Sequence, residues 1–95
     1  MLDNTFATMG AGLPTGIMAK HLNPDKHVVI ITGDGGLLMN LGDLETAVRM
    51  GNDLVIIVIN NNAYGMIKVK QAHAGFPDYG LDLPNPDFIH LAQSF

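Results

Sequence analysis

Two uninterrupted apolar segments dominate the hydrophobic pattern of this chain. The first is centred on the β-branched residues 28–31 of a predicted strand at 27–32, and the second covers residues 54–59. A strand without polar positions contacts other protein on both faces, as in the centre of a parallel sheet. The pattern therefore predicts two buried, parallel β-strands.

The segment between these strands has a helical period. Its apolar residues recur at spacings of four, three and four, which predicts one amphipathic helix. A helix that connects two parallel strands of one sheet almost always forms a right-handed crossover, so we expect a βαβ unit. The apolar face of this helix would consist of Leu37, Leu41, Leu44, Ala47 and Val48.

A further helix is predicted before the first strand. It begins at Pro14, because the missing N–H group of proline costs nothing in a first helical turn. Ile17, Met18 and Leu22 would form its apolar face.

Two more helices are predicted after the second strand. A short one lies within residues 63–74, and another covers residues 87–95, with Asn85 as N-cap and Pro86 at the first helical position. Alternating strands and helices predict an α/β fold with a parallel sheet and helices on both faces. The sequence opens in a glycine-rich segment and stops inside a predicted helix, so we interpret residues 1–95 as a partial domain.

Composition narrows the classes of function. The net charge is −4 and the five Lys and Arg side chains are scattered, whereas a nucleic-acid binder needs a basic patch. The absence of Cys excludes a disulfide framework and a Cys-ligated metal. No apolar run is long enough for a membrane span, and the N-terminal residues do not resemble a signal peptide. We therefore expect a cytoplasmic protein.

Flexible and oxygen-bearing residues follow both predicted strands. Gly33-Asp34-Gly35-Gly36 follows the first, and Asn60, Asn61 and Asn62 follow the second. Open α/β sheets bind ligands at the carboxyl ends of their strands. Glycine amides and a helix N-terminus favour a phosphate group, which the Asp34 carboxylate would repel. A Mg²⁺ ion between carboxylate and phosphate, with amide oxygens as further ligands, removes this conflict.

Each turn alone is also explained by ordinary turn chemistry, since Gly, Asp and Asn commonly follow strands. The occurrence of both turns at adjacent strand ends favours the metal–phosphate site. Two other phosphate motifs are excluded. Leu38 occupies the third glycine position of a dinucleotide fingerprint, and the chain contains no Gly-Lys-Ser/Thr sequence.

Gly33-Asp34-Gly35, followed later by Asn60-Asn61, resembles the thiamine diphosphate motif of pyruvate-handling lyases, oxidases and decarboxylases. The resemblance covers essentially the whole chain. Residues 8–14 resemble the family's lead-in to the first helix, and residues 41–49, 61–66 and 85–88 are similar to acetolactate synthases in particular. The chain therefore resembles the pyrophosphate-binding portion of an acetolactate synthase or a near relative.

The resemblance implies thiamine diphosphate and Mg²⁺ as cofactors, and it leaves FAD as a candidate cofactor of the full-length enzyme. Asp34, the Asn61 side chain and the Ala63 carbonyl would ligate Mg²⁺. The amides of Gly35 and Gly36 would contact the diphosphate.

Two methionines also receive a role from the resemblance. Met9 would support the bent conformation of the cofactor, and Met66 would face its substrate side, although both also fit ordinary core filling. The full set of implied cofactor-binding residues is Met9, Gly33, Asp34, Gly35, Gly36, Asn61, Ala63, Tyr64, Gly65 and Met66.

Three positions qualify the resemblance. Ala7 stands where the family usually has Gly, and its carbonyl should still meet the aminopyrimidine. Lys70 stands where biosynthetic members usually have Trp. The absence of this Trp favours a pyruvate-only, catabolic-type enzyme. No catalytic residue is assigned, because the family's activating Glu comes from a pyrimidine-binding domain of the same or a partner subunit. Glu45, the only Glu, is predicted on the polar face of the central helix.

The intact enzyme would condense two molecules of pyruvate, a small 2-keto acid, with loss of CO₂. It would act as a homo-oligomer. Another lyase, oxidase or decarboxylase of the same family, or a non-catalytic fragment, remains an alternative. The chain alone is expected to be inactive. Apolar surface that faces missing protein predicts self-association.

Overall fold

The computed structural model describes residues 8–95, so Ala7 and its expected contact lie outside the described residues. No helix in this part of the chain has both the length and the apolar character of a membrane span. The elements, in order, are α1 (Gly12–Leu22), β1 (Val28–Gly33), α2 (Asp34–Met39), α3 (Asp43–Arg49), β2 (Leu54–Ile59), α4 (Gly65–His73) and α5 (Phe88–Gln93).

The two strands pair in parallel over their full lengths. Val28 lies opposite Leu54 at one end, and Gly33 lies opposite Ile59 at the other. The carboxyl ends of both strands therefore meet at the same edge of the sheet. This arrangement confirms both predicted strands, their parallel pairing and the α/β class.

The core lies on one face of this sheet. Leu13 and Ile17 of α1, Ile30 of β1, Leu37 of α2 and Ala47 of α3 are each at most 6% exposed. Burial of a large aliphatic side chain contributes about 1.5–3 kcal/mol. A side chain at position 16 would overlap Ile30, so glycine there permits α1 to pack closely on the strand.

The opposite face of the sheet is apolar and open among residues 8–95. Its five β-branched side chains are 44–69% exposed. The expectation that both faces of each strand are covered is therefore met on one face only within this part of the chain. The exposed side chains belong to Val29, Ile31, Val55, Ile57 and Ile59.

The prediction of one continuous helix between the strands is wrong. Asn40 ends α2, and α3 begins three residues later at Asp43. Asn40 and Gly42 are poor helix formers, and the Asn40 side chain donates to the Gly10 carbonyl oxygen at 2.9 Å. The leucines keep the spacing of a single helix, because the two short helices α2 and α3 pack on the same core.

Three residues predicted on apolar helix faces are exposed. Met18 is 52% exposed and Leu22 is 69% exposed, because α1 contacts the sheet through the stripe that contains Leu13 and Ile17. Val48 is 56% exposed, because α3 faces the core with Leu44 and Ala47 instead.

The predicted N-cap of the last helix is also wrong. Asp87, not Asn85, caps α5, and its carboxylate accepts from the backbone N–H groups of Ile89 and His90 at 2.9 and 3.1 Å. Phe88, the first residue of α5, packs against the core. The side chain of Asn85 is thereby available for a different contact.

Candidate functional site

Asp34 is the buried carboxylate at the junction of β1 and α2. Only 2% of its surface is exposed. The Gly35 backbone N–H donates to Asp34 Oδ1 at 2.9 Å, and the Asn62 backbone N–H donates to Asp34 Oδ2 at 2.8 Å. Asp34 therefore joins the two strand ends directly, as their parallel pairing predicts.

Asn85 provides a third contact that sequence reasoning missed. Its Nδ2 lies 2.6 Å from Asp34 Oδ2, 2.9 Å from Asn60 Oδ1 and 3.3 Å from Asn62 Oδ1. The prolines on either side restrict its backbone, and this restriction is the local signal that the sequence offers. The same signal fits a helix N-cap equally well, and the pattern alone does not distinguish the two roles.

These contacts keep Asp34 ionised. Burial raises the pKa of its carboxyl, but the Asn85 side chain and the backbone N–H groups of Gly35, Asn62 and Asn61 lower it more. The net pKa is below the ordinary value of 3.8. A buried anion at the end of β1 is a suitable ligand for a hard cation.

The second strand end is held by its own backbone and by residues 81–83. Asn62 has a φ of 55°, a left-handed conformation that Asn tolerates, and the Asn61 Oδ1 accepts from the Ala63 N–H at 3.2 Å. The Tyr64 N–H donates to the Leu81 carbonyl at 2.9 Å, and the Leu83 N–H donates to the Asn62 carbonyl at 2.7 Å. Residues 81–83 thus fix the turn beside Asp34.

Two glycines permit close approaches around this turn. A Cβ atom at Gly35 would lie 2.6 Å from the Tyr64 ring and 3.1 Å from Leu83. A Cβ atom at Gly65 would lie 2.6 Å from the Asn61 Nδ2. The absence of a side chain at Gly35 therefore serves packing, and the Gly35 N–H, which was predicted to contact diphosphate, donates to Asp34 in this structure.

A cleft of about 910 Å³ opens between the lead-in to α1 and the two strand ends. The structure brings all of the predicted cofactor-binding residues to its walls, while their individual roles remain predictions. Met9 and Met66, at 40% and 72% exposed, are surface residues of the cleft and not core filling. The predicted residues along the cleft are Met9, Gly33, Asp34, Gly35, Gly36, Asn61, Ala63, Tyr64, Gly65 and Met66.

The donor set fits a hard divalent cation. Within residues 8–95 no three His, Asp or Glu side chains come together as a metal site. The candidate ligands are instead one carboxylate (Asp34), one amide oxygen (Asn61) and one backbone carbonyl (Ala63), which are oxygen ligands of the kind Mg²⁺ prefers. The hydrogen bonds from Gly35, Asn62 and Asn85 occupy three of about four acceptor positions of the Asp34 carboxylate, which leaves one for a cation. The Asn61 N–H also lowers the pKa of this carboxyl but is not placed for a well-formed hydrogen bond to it.

Glu45 has no part in this cleft. Its Oε1 accepts from Arg49 Nε at 3.0 Å, one helical turn further along α3, and both side chains are more than half exposed. The predicted surface position of Glu45 is confirmed. Among the described residues that line the cleft, Asp34 and Tyr64 are the titratable ones.

Comparison with known proteins gives a consistent result. Residues 1–95 match the family described as thiamine pyrophosphate enzyme, C-terminal TPP binding domain. The chain is 37% identical over 95 residues to the acetolactate synthase of Bacillus subtilis, covering 100% of this chain and 17% of the relative. It is 41% identical over 95 residues to the acetolactate synthase large subunit of Cyanidium caldarium, covering 95% of this chain and 16% of the relative. It is 38% identical over 92 residues to the pyruvate oxidase of Lactiplantibacillus plantarum, covering 96% of this chain and 15% of the relative. The chain thus spans about a sixth of the length of the curated relatives it matches.

Proposed function

Because the chain belongs to the thiamine pyrophosphate enzyme family, as its C-terminal TPP-binding domain, we propose that the cleft binds the diphosphate end of thiamine diphosphate through Mg²⁺. The enzyme would be of the acetolactate synthase type. The observation that carries this proposal is the buried, ionised Asp34 beside the oxygen-rich second strand end.

The residues of this chain would act by binding and orientation. Asp34, Asn61 and the Ala63 carbonyl would hold Mg²⁺, and the Gly36 amide at the start of α2 would face the diphosphate. Met9 and Met66 would contact the remainder of the cofactor along the walls of the cleft. Bound thiamine diphosphate would supply the carbanion chemistry that 2-keto acids require.

Calorimetric titration tests the metal site. The protein is titrated with thiamine diphosphate at saturating Mg²⁺, as wild type, as Asp34→Ala and as Asp25→Ala, a control that removes an exposed carboxylate that does not line the cleft. We expect Asp34→Ala to lose Mg²⁺-dependent binding by at least about tenfold and Asp25→Ala to bind like wild type. Equal binding by all three proteins would remove Asp34 from the metal site.

The reaction itself is proposed as the condensation of two pyruvate molecules to acetolactate with loss of CO₂. Similarity to acetolactate synthases supports it, and Lys70 in place of the Trp expected of biosynthetic members supports pyruvate as both substrates. The second candidate, oxidation of pyruvate, is favoured by the similarity to a pyruvate oxidase. Product analysis with pyruvate distinguishes them. Acetolactate supports the first reaction, and acetate or acetyl phosphate supports the second.

Turnover would also need groups from outside these residues. Glu45, the only Glu in the sequence, pairs with the exposed Arg49 and does not line the cleft. We propose that the activating Glu comes from a pyrimidine-binding domain of the same or a partner subunit. FAD binding and a homo-oligomeric state belong to this proposal for the complete enzyme.

A further inference from the structure

Asn85 makes an unusual set of contacts for a loop residue. Its Nδ2 has two hydrogens, yet it lies within hydrogen-bond distance of three oxygens, on Asp34, Asn60 and Asn62. The shortest of the three contacts, at 2.6 Å, is with Asp34 Oδ2. This side chain thus connects the segment before α5 to both strand ends.

The other end of the Asn85 amide has the opposite environment. Asn85 Oδ1 is buried and has no hydrogen-bond partner among the described residues. An unsatisfied buried acceptor costs about 1–3 kcal/mol. Rotating the amide by 180° would place Oδ1 against three acceptor oxygens, which is worse. The orientation of the Asn85 amide is therefore set by the Nδ2 contacts, and chiefly by the contact with the Asp34 carboxylate.

The direction of the Asp34 contacts matters for a cation. Both Asn85 Nδ2 and the Asn62 N–H donate to Oδ2, whereas Oδ1 accepts one hydrogen bond from residues 8–95, from the N–H of the adjacent Gly35. Oδ2 is thereby saturated, and the free acceptor position of the carboxylate is on Oδ1. Without Asn85, Oδ2 would lose its shortest contact, and the carboxylate would be held less firmly, by the Gly35 and Asn62 N–H groups.

We propose that Asn85 is a positioning residue of the metal site, which fixes the Asp34 carboxylate so that Oδ1 is presented to the divalent cation. This inference rests on the proposed function of the cleft. Groups that hold a metal ligand typically change metal affinity by about 10–100-fold when they are removed. The same contact makes metal binding and the placement of residues 81–85 interdependent, because an equilibrium coupling acts in both directions.

The test compares Asn85→Ala with Asn52→Ala. Asn52 is a suitable control, because its Nδ2 also makes a long-range bond to the main chain, to the Ile17 carbonyl at 3.3 Å, far from Asp34. For each protein, the Mg²⁺ concentration that gives half of the thiamine diphosphate binding heat is measured at saturating cofactor. Thermal unfolding without Mg²⁺ reports the purely structural loss.

We expect the half-saturating Mg²⁺ concentration to rise about 10–100-fold in Asn85→Ala and to stay unchanged in Asn52→Ala. A wild-type value in Asn85→Ala, or the same rise in both variants, would overturn the positioning role. Asn85→Ser, a smaller change with the same expected direction, replaces the alanine variant if that protein does not fold. Failure of the proposed function is distinguishable, because wild type itself would then show no Mg²⁺-dependent binding.

Discussion

The two strand ends of this molecule contribute to one cleft in different ways. The first, residues 33–36, contains the buried Asp34 and a glycine that lies under an aromatic ring. The second, residues 60–63, is largely exposed and contains neutral amides that bond within their own turn and to Asn85. The first end is therefore part of the packed core and the second is a surface turn braced by residues 81–85. Damage to the first should affect folding and binding together, whereas damage to the second should affect binding alone.

Gly35→Ala should have the largest effect. The new Cβ would lie 2.6 Å from the Tyr64 ring and 3.1 Å from Leu83, so the loop above Asp34 has to shift. We expect a loss of about 1–3 kcal/mol in the free energy of unfolding, together with weaker cofactor binding. Denaturant unfolding and calorimetry measure both.

The control for this variant is Gly33→Ala at the same strand end. Nothing lies within 4 Å of a Cβ at Gly33, and its φ of −76° suits any residue. The free energy of unfolding of Gly33→Ala should be unchanged or higher by about 0.4–1 kcal/mol. If both variants lose the same stability, close packing under Tyr64 is not the cause.

Gly65→Ala should separate binding from folding at the second strand end. Here the Cβ would lie 2.6 Å from the Asn61 Nδ2, which is the end of an exposed side chain and can move. We expect little change in stability, since Ala is a better helix former than Gly at the start of α4. Displacement of Asn61 should weaken Mg²⁺ binding on the order of tenfold.

Gly42→Ala serves as the matched control, because a Cβ there meets nothing within 4 Å. It should retain wild-type Mg²⁺ binding. A Gly65→Ala protein that binds Mg²⁺ normally would show that the Asn61 side chain is not a ligand.

Acid should act on the first strand end and spare the second. The folded-state pKa of Asp34 is below its ordinary value, so its contribution to stability is present above about pH 3.8 and is lost as the pH falls through the folded-state pKa. We expect the acid-induced loss of unfolding free energy to be smaller in Asp34→Ala. Asn61→Ala should retain the wild-type profile, since an amide does not titrate. Identical acid profiles for wild type and Asp34→Ala would contradict the hydrogen-bonded, ionised carboxylate.

The sequence predicted the parts of this molecule that depend on local pattern. Both strands were evident from continuous β-branched residues, and the proximity of Asp34 to the asparagines followed from parallel pairing. The break at Asn40 was missed, because two helices on one core preserve the leucine spacing of a single helix. The contact of Asn85 was missed, because it joins residues 51 positions apart and no local pattern reports such a pairing.

Helix α2 also acts as a spacer of fixed length. It has Asp34 at its first residue, and Asn40, directly after its last residue, holds Gly10 in its left-handed conformation beside Met9. Its six residues span about 9 Å, and each residue advances the helix by about 100°. A single inserted residue would leave Asp34 in place but turn the Asn40 side chain away from Gly10. The distance across the cleft between Asp34 and Met9 is thus set by the length of one short helix.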